Sequence, residues 1–515
     1  MILQYDYVII GSGFGGAVSA LRLAEKGYKV LVVEKGKEFS ATDFPKTNWN
    51  LRKWLWAPLL KFKGVLSLSF FRHMTVLHGV GVGGGSLIYA AALPVPPAGF
   101  FDSGHWKGLA DWEKELTPFY AEARRMLGSA CNTRMEPGDL VMQEMAAEMG
   151  IPENFSNAEV GIFMGEPGKQ VDDPYFNGQG PARAGCTFCG GCLVGCRHNA
   201  KNSLDKNYLY FARKHGAEIL PETMVSDVVP LDGAKGATGY KITCKTSGQM
   251  KSFTTRAVVF SAGALGTVSL LLKLKETSLP HLSPMVGYGV RTNNESVVGV
   301  INYKQNKDLS KGVAIGSVLR LDDKTYVEPF RHNEGSGVWR LFFIPLAYSN
   351  TLAGRLLKIA FDFIRHPRTN LRTILVDDFG KRTQGLLFMQ EGEQSLRLKQ
   401  GLFGMRSVLH KGVKPTPYLP LVEVFAHSYA RRIDGKPYTL ATESVFGIPV
   451  TAHVLGGAVM GNDITTGVID KDNHVFGYEN MLVCDGAMIS SNPGVNPSLT
   501  ITAITERAMS KISPK

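Results

Sequence analysis

Four thiols lie within 11 residues, at Cys186, Cys189, Cys192 and Cys196, amid Gly185, Gly190, Gly191 and Gly195. Thiolates crowded in this way serve soft metals. The spacing C-x2-C-x2-C-x3-C matches the run that ligates iron-sulfur clusters in bacterial ferredoxins, although Arg197 stands where that run continues with Pro. With no second set of cysteines, a single cluster would need all four. Zinc is the structural alternative, but its cysteine pairs are usually set further apart, and free thiols are the third reading. Two disulfides do not suit a reducing cytoplasm. Cys131, Cys244 and Cys484 share no pattern and read as packing residues.

The second chemistry is phosphate and ribose binding. Gly11-Ser12-Gly13-Phe14-Gly15-Gly16 fits G-x-G-x-x-G, with Glu34 placed to accept a ribose hydroxyl. In such a turn Gly11 permits the tight bend, Gly13 admits a pyrophosphate to the backbone, and Gly16 lets helix and strand pack. The helix N-terminus then faces the phosphates. A second cluster, Gly79 to Ser86, includes Gly83, Gly84 and Gly85 and lacks a Walker lysine, so it reads as backbone lying against a flat ligand longer than NAD.

These residues need elements to hold them. The glycine turn sits in a strand–helix–strand unit: Tyr5 to Ile10, a helix to about Glu25, then Lys29 to Glu34. Two further apolar β-branched runs, Ala257 to Phe260 and Met481 to Val483, end in Ser261-Ala262-Gly263 and Asp485-Gly486, as strands of a parallel sheet do. Residues 218–244 and 297–328 alternate like antiparallel strands, and a second, antiparallel domain is the natural reading. The predicted fold is α/β: a Rossmann-like domain assembled from discontinuous segments, interleaved with a mainly antiparallel substrate domain.

Composition bounds the function. The 515 residues carry 44% hydrophobic and 20% charged side chains, which excludes fibrous and disordered classes. A net charge of +12 is spread along the chain without basic runs interleaved with aromatics, which argues against nucleic acid. The opening MILQYDYVIIGSG enters a strand at once without the marks of a signal peptide, so a cytoplasmic protein is expected. No apolar run is long enough to span a bilayer. Residues 51–71 and 355–368 mix Trp, Leu and Phe with Arg and Lys, and read either as lids over a pocket or as peripheral membrane contacts.

From Thr451 the chain reads TAHVLGGAVMG, then MLVCDGAMIS, then SNPGVNPSLTITAITERA, ending in a helix that starts near Pro497. This pattern resembles the C-terminal signature of the glucose-methanol-choline family of FAD oxidoreductases. GSGFGGAVSALRLAEKGYKVLVVEKG, GVGGGSL and GVNPSLTITAITER are similar to the cholesterol oxidase branch, and the likeness covers nearly the whole chain. It implies that His453 and Asn496 face the flavin ring and the substrate carbinol. It also implies FAD contacts at Gly11, Gly13, Phe14, Gly15, Gly16, Glu34, Gly83, Gly84, Gly85, Ser86, Val225, Ala262, Gly263, Asp485, Gly486, Asn496 and Pro497. The implied layout is an FAD domain from 1–100, 200–290 and 440–515, a lid and cysteine-rich insertion at 101–199, and a substrate domain at 291–439.

The chemistry implied is oxidation of a hydrophobic secondary alcohol, such as a 3-hydroxysteroid, to a ketone, with hydride passing to flavin N5 and a side chain taking the hydroxyl proton. Isomerising members use a glutamate base, for which the nearest match is Glu328 in TYVEPF, with a strand-end surface carboxylate the plain alternative. Ile88-Tyr89 departs from the branch, which often places an Asn there. Secreted cholesterol oxidases generally lack the cysteine run, so an FAD/iron-sulfur dehydrogenase feeding a quinone or protein acceptor, rather than oxygen, is the second reading. A non-catalytic flavin and metal-binding redox sensor is the third.

Overall fold

The computed structural model describes residues 3–402, 404–410 and 414–515. Its first sheet is built around Tyr5–Ile10, which pairs in parallel with Val30–Val33 on one side and with Gln249–Phe260 on the other. Val8, Ile9 and all of Val30–Val33 are buried, as strands covered on both faces must be. Glu218–Leu220 extends the parallel set at one edge, and Met481–Val483 pairs in parallel with the end of Gln249–Phe260.

Gln249–Phe260 is long enough to serve two partners. Its first half pairs antiparallel with Tyr240–Thr246, which in turn pairs with Thr223–Pro230, while its last residues align with the parallel core. The alternation read at 218–244 is therefore real for Thr223–Pro230 and Tyr240–Thr246, but these strands extend the nucleotide-type sheet instead of forming the second one. Alternation reports one exposed face and carries no address.

The second sheet has seven antiparallel strands in the order Phe343–Pro345, Gly435–Leu440, Ser296–Asn302, Thr383–Gln390, Thr325–Arg331, Ser317–Arg320, Phe155–Asn157. One face packs under the helices Pro137–Glu148 and Pro420–Arg432 through Val298, Leu319, Val327, Phe388, Met142 and Phe425. The other face carries Val297, Phe330 and Leu387 toward a cavity. An internal ion pair ties this sheet to its helix: Arg331 donates to Asp139 at 2.7 Å, both fully buried, and Ser317 Oγ adds a bond at 2.8 Å.

The terminal helix, Ser498–Ser510, packs on the glycine-turn helix Phe14–Glu25 and on Trp112–Met126. Glu506 binds Arg22 at 2.7 Å and accepts from Tyr208 Oη at 2.7 Å, so the two ends of the sequence share one buried polar knot. Among the described residues, no helix is long and apolar enough to cross a membrane.

Candidate functional site

The glycine turn has the shape its sequence requires. Gly11 adopts φ +102°, open to glycine and strained for other residues. A Cβ on Gly16 would lie 2.0 Å from the Gly11 carbonyl oxygen, and one on Gly15 would lie 1.6 Å from that of Cys484. Helix, turn and C-terminal strand thus meet at backbone distance. The second glycine loop is stapled to the first: Ser12 Oγ accepts from Gly83 N at 3.0 Å, and a Cβ on Gly84 would come within 2.8 Å of Gly13 Cα. Ser86 clasps its own loop by donating to Gly83 O at 2.7 Å and accepting from Leu204 N at 3.0 Å.

A cavity of about 590 Å³ opens beside these loops, walled by the turns that follow the first sheet's strands, by the second sheet and by the short strands Leu66–Phe70 and Thr75–Gly79. Gly13, Phe14, Gly15, Gly85, Ala262, Gly263, Asp485, Gly486, Asn496 and Pro497 line it. A Cβ added to Gly13 or Gly85 meets no protein atom within 4 Å, so bare backbone faces open space where a phosphate or ring can approach. That lining fits FAD. Gly11, Gly16, Gly83, Gly84 and Ser86 shape the loops without lining the cavity, and Val225 sits in the core of the first sheet. Glu34 accepts from Ser12 Oγ at 2.8 Å, Ser12 N at 3.1 Å and Gly36 N at 2.8 Å. Burial raises its pKa against those three bonds. Asp485, pushed up to about 6 by burial, is held by Thr267 Oγ1 at 2.5 Å and Ala487 N at 2.8 Å.

Beside the cavity three sequence-predicted residues, His453, Asn496 and Glu328, come together with a fourth that the sequence did not single out, Glu295. His453 follows the short strand Val450–Thr451 and turns its Nδ1 to the carboxylate of Glu295, whose second oxygen accepts from Ala452 N at 2.9 Å. Glu295 is buried and lines the cavity. Burial alone would lower the His453 pKa, but the charge and hydrogen bond of Glu295, aided by Glu328, raise it overall.

Glu328 lies inside Thr325–Arg331, and its alternation with Phe330 puts it on the cavity side of the sheet, abreast of Leu387 and Val297. It is buried, which removes the reading of a strand-end surface carboxylate. Burial pushes its pKa up to about 7; the Asn496 amide and His453 pull it down, and Glu295 pushes it up. Glu328 Oε2 and Asn496 Oδ1 are buried without hydrogen-bond partners in the protein, as befits groups awaiting a polar ligand.

Glu443 is a further buried carboxyl, pushed up to about 8 by burial; it braces the His453 strand by accepting from Val450 N at 3.1 Å and Thr439 Oγ1 at 2.8 Å. Lys35 and His78 also line the cavity, and His78 is driven down to about 3 by burial and then by Lys35. Much of the remaining wall is apolar, including Trp54, Leu66, Phe71, Trp339, Phe343 and Leu440.

The cysteine run does not assemble as a metal-ligand group. Among the described residues no three of His, Cys, Asp and Glu are placed to hold a metal ion. Gly190 at φ +66° and Gly195 at φ +99° bracket a short 3-10 turn that distributes the thiols around a small cavity of about 190 Å³. Cys186 is buried and Cys189 exposed, and burial pushes the Cys192 thiol up to about 11 even though Lys201 opposes it. Lys201 spans from this cavity to the second glycine loop, donating to Cys192 O at 2.8 Å and to Leu87 O at 2.8 Å. The iron-sulfur and zinc expectations thus find no converging donor set. Cys131 is exposed, not packed, whereas Cys244 and Cys484 are buried as expected.

Comparison with known proteins agrees with the geometry. GMC oxidoreductase family models match residues 5–274 and 379–505. A cholesterol oxidase of Acinetobacter baumannii is 45% identical, over 99% of this chain and 95% of its own length. One from Mycobacterium tuberculosis (strain ATCC 25618 / H37Rv) is 42% identical over 98% of this chain and 91% of its own. The crystal structure of a pyridoxine 4-oxidase from Mesorbium loti superposes with a TM-score of 0.62 at 13% identity, covering 98% of both chains, a likeness of fold alone. With its glycine loops, cavity and matched halves in register, the chain belongs to the GMC oxidoreductase family of FAD-dependent enzymes that act on CH–OH groups.

Proposed function

We propose that this enzyme oxidises the 3-hydroxyl of a sterol-like secondary alcohol to the ketone. The observation that carries this reading is a cavity with His453, Glu295 and Asn496 in its lining, Glu328 bonded to Asn496 beside them, and long apolar walls that would hold a fused-ring skeleton. The cholesterol oxidase relatives support the same substrate class.

FAD, held by both glycine loops, the Asp485-Gly486 segment and the N-terminus of the last helix, supplies the hydride acceptor when bound. The chain's residues manage the proton. Glu295 occupies His453 Nδ1, which fixes the ring and leaves Nε2 to take the carbinol proton. Asn496 offers its amide to the same oxygen and steadies Glu328. With its unpartnered Oε2 and a pKa near 7, Glu328 exchanges a carbon-bound proton when the double bond of the ketone shifts. Oxygen is the proposed acceptor for the electrons.

The test is anaerobic addition of 3β-hydroxysteroids while following the flavin band at about 450 nm. Bleaching that air reverses, with peroxide formed, is the expected result; a band unmoved by any sterol but bleached by short alcohols would overturn the substrate class.

A further inference from the structure

The helix Leu352–Arg365 is built inside out. Its inward side carries Arg355, buried and donating to Val445 O at 3.0 Å and Ser349 O at 2.8 Å, and Asp362, bound by Lys436 and by Asn370 at 3.0 Å. Its outward stripe, at i, i+4 and i+7, is Leu357 at 70% exposure, Phe361 at 61% and Ile364 at 78%. A helix packed on a water-soluble body normally shows the reverse arrangement. The following helix, Pro367–Ile374, continues the patch with Leu371 and Ile374, and Leu375 lies just beyond at 66% exposure. Grouped apolar exposure of this kind marks a docking surface, whereas scattered exposed leucines do not.

Charge decides the occupant. Arg365, Arg368 and Arg372 are exposed around the patch, and the only carboxylate between 352 and 375 is Asp362, which is already paired. A protein partner's apolar patch would not need three guanidiniums that, among the described residues, no carboxylate pairs; an anionic bilayer satisfies both features, with apolar side chains among acyl chains and arginines at headgroups. The patch also has a purpose there. The helix packs on Phe343–Pro345, whose Phe343 lines the substrate cavity, and the exposed Leu341 and Phe342 immediately precede it.

We infer that the helical pair 352–374 seats this enzyme on anionic membranes beside the cavity wall at Phe343, so that a lipid-dissolved alcohol enters without crossing water. The purpose rests on the sterol reading; the docking does not. The experiment uses the full-length flavoprotein and sedimentation with phosphatidylglycerol-containing or pure phosphatidylcholine vesicles, free of sterol. Binding is expected to the former, weakening with salt, and to fall at least tenfold in the combined variant Leu357→Glu, Phe361→Glu, Ile364→Glu and in Arg365→Gln, Arg368→Gln, Arg372→Gln. Both variants alter exposed side chains and should keep the flavin spectrum and the rate on detergent-dispersed substrate. Equal binding by wild type and variants, no binding at all, or burial of the patch by a second copy in lipid-free sedimentation equilibrium would each overturn the proposal. Vesicle binding without flavin bleaching by sterols would sink the substrate reading and leave the docking intact.

Discussion

Glu295 decides which form His453 can take. By bonding Nδ1 it stabilises the imidazolium, so the neutral base appears only above the raised pKa. In Glu295→Gln that support is lost: the acidic limb of the kcat/KM profile should move to lower pH while kcat falls about 10- to 100-fold, the range for carboxylates that orient a functional histidine. A lowered kcat with an unmoved limb would show that Glu295 only fills space. Glu328 serves the other step. Its carboxylate form is lost as pH falls through about 7, so isomerisation should decline there. Glu328→Gln should cost isomerisation about 10²- to 10⁴-fold and leave alcohol oxidation largely intact, measured by resolving the two ketones. Among the thiols, Cys189 should be alkylated rapidly by iodoacetamide and Cys186 slowly, since burial pushes the latter up to about 12. Protection of Cys189 would mean that a bound group covers it. His453, Asn496 and Glu328 were legible because each sits in a recognisable run. Glu295 was not, because its partner lies 158 residues away and no spacing links them. The available signal was Asn293-Asn294, both left-handed at φ 56° and 45°, a turn that swings a carboxylate onto the start of a strand.

Secondary structure was legible wherever local pattern sufficed: the strand–glycine–helix unit, the strand at 481–483 and the last helix all stand where their periodicity puts them. What pattern could not supply was partnership. Nothing in Thr223–Pro230 says that it extends the parallel sheet, and nothing in 352–365 says which side of the helix meets the protein; the apolar stripe alone would have been assigned to the core. Residues 51–71 were read with it as one kind of segment. They form a short helix, a 3-10 turn and three strands, with Trp54 buried against Trp339, Leu66 and Phe71 on the cavity wall, and Leu59 left outside. The Asp139–Arg331 pair was invisible for the same reason, its members lying 192 residues apart. Asp139→Asn leaves a buried guanidinium without its counter-charge and should lower stability by about 3–5 kcal/mol, read from the denaturant midpoint.

At the scale of the whole molecule, the cavity is shared between two sheets and walled by segments from residue 13 to residue 501. FAD binding should therefore stabilise both at once. Saturating the apoprotein at about 100 times Kd should add about 2.7 kcal/mol and raise Tm in a single transition seen alike by far-UV signal and tryptophan fluorescence. Two separated transitions would show that the sheets melt independently. Fold class was readable from composition and strand order, whereas the cavity was not, because it belongs to neither sheet alone.

The contact between Gly15 and the carbonyl of Cys484 has a consequence for how the protein is made. The nucleotide turn has finished its own synthesis long before the strand that closes it leaves the ribosome, some 470 residues later. Until then the flavin has no complete cradle, so the nascent chain cannot be rescued by cofactor during translation. Chaperone capture, rather than flavin supply, should limit the yield of active enzyme at high expression rates.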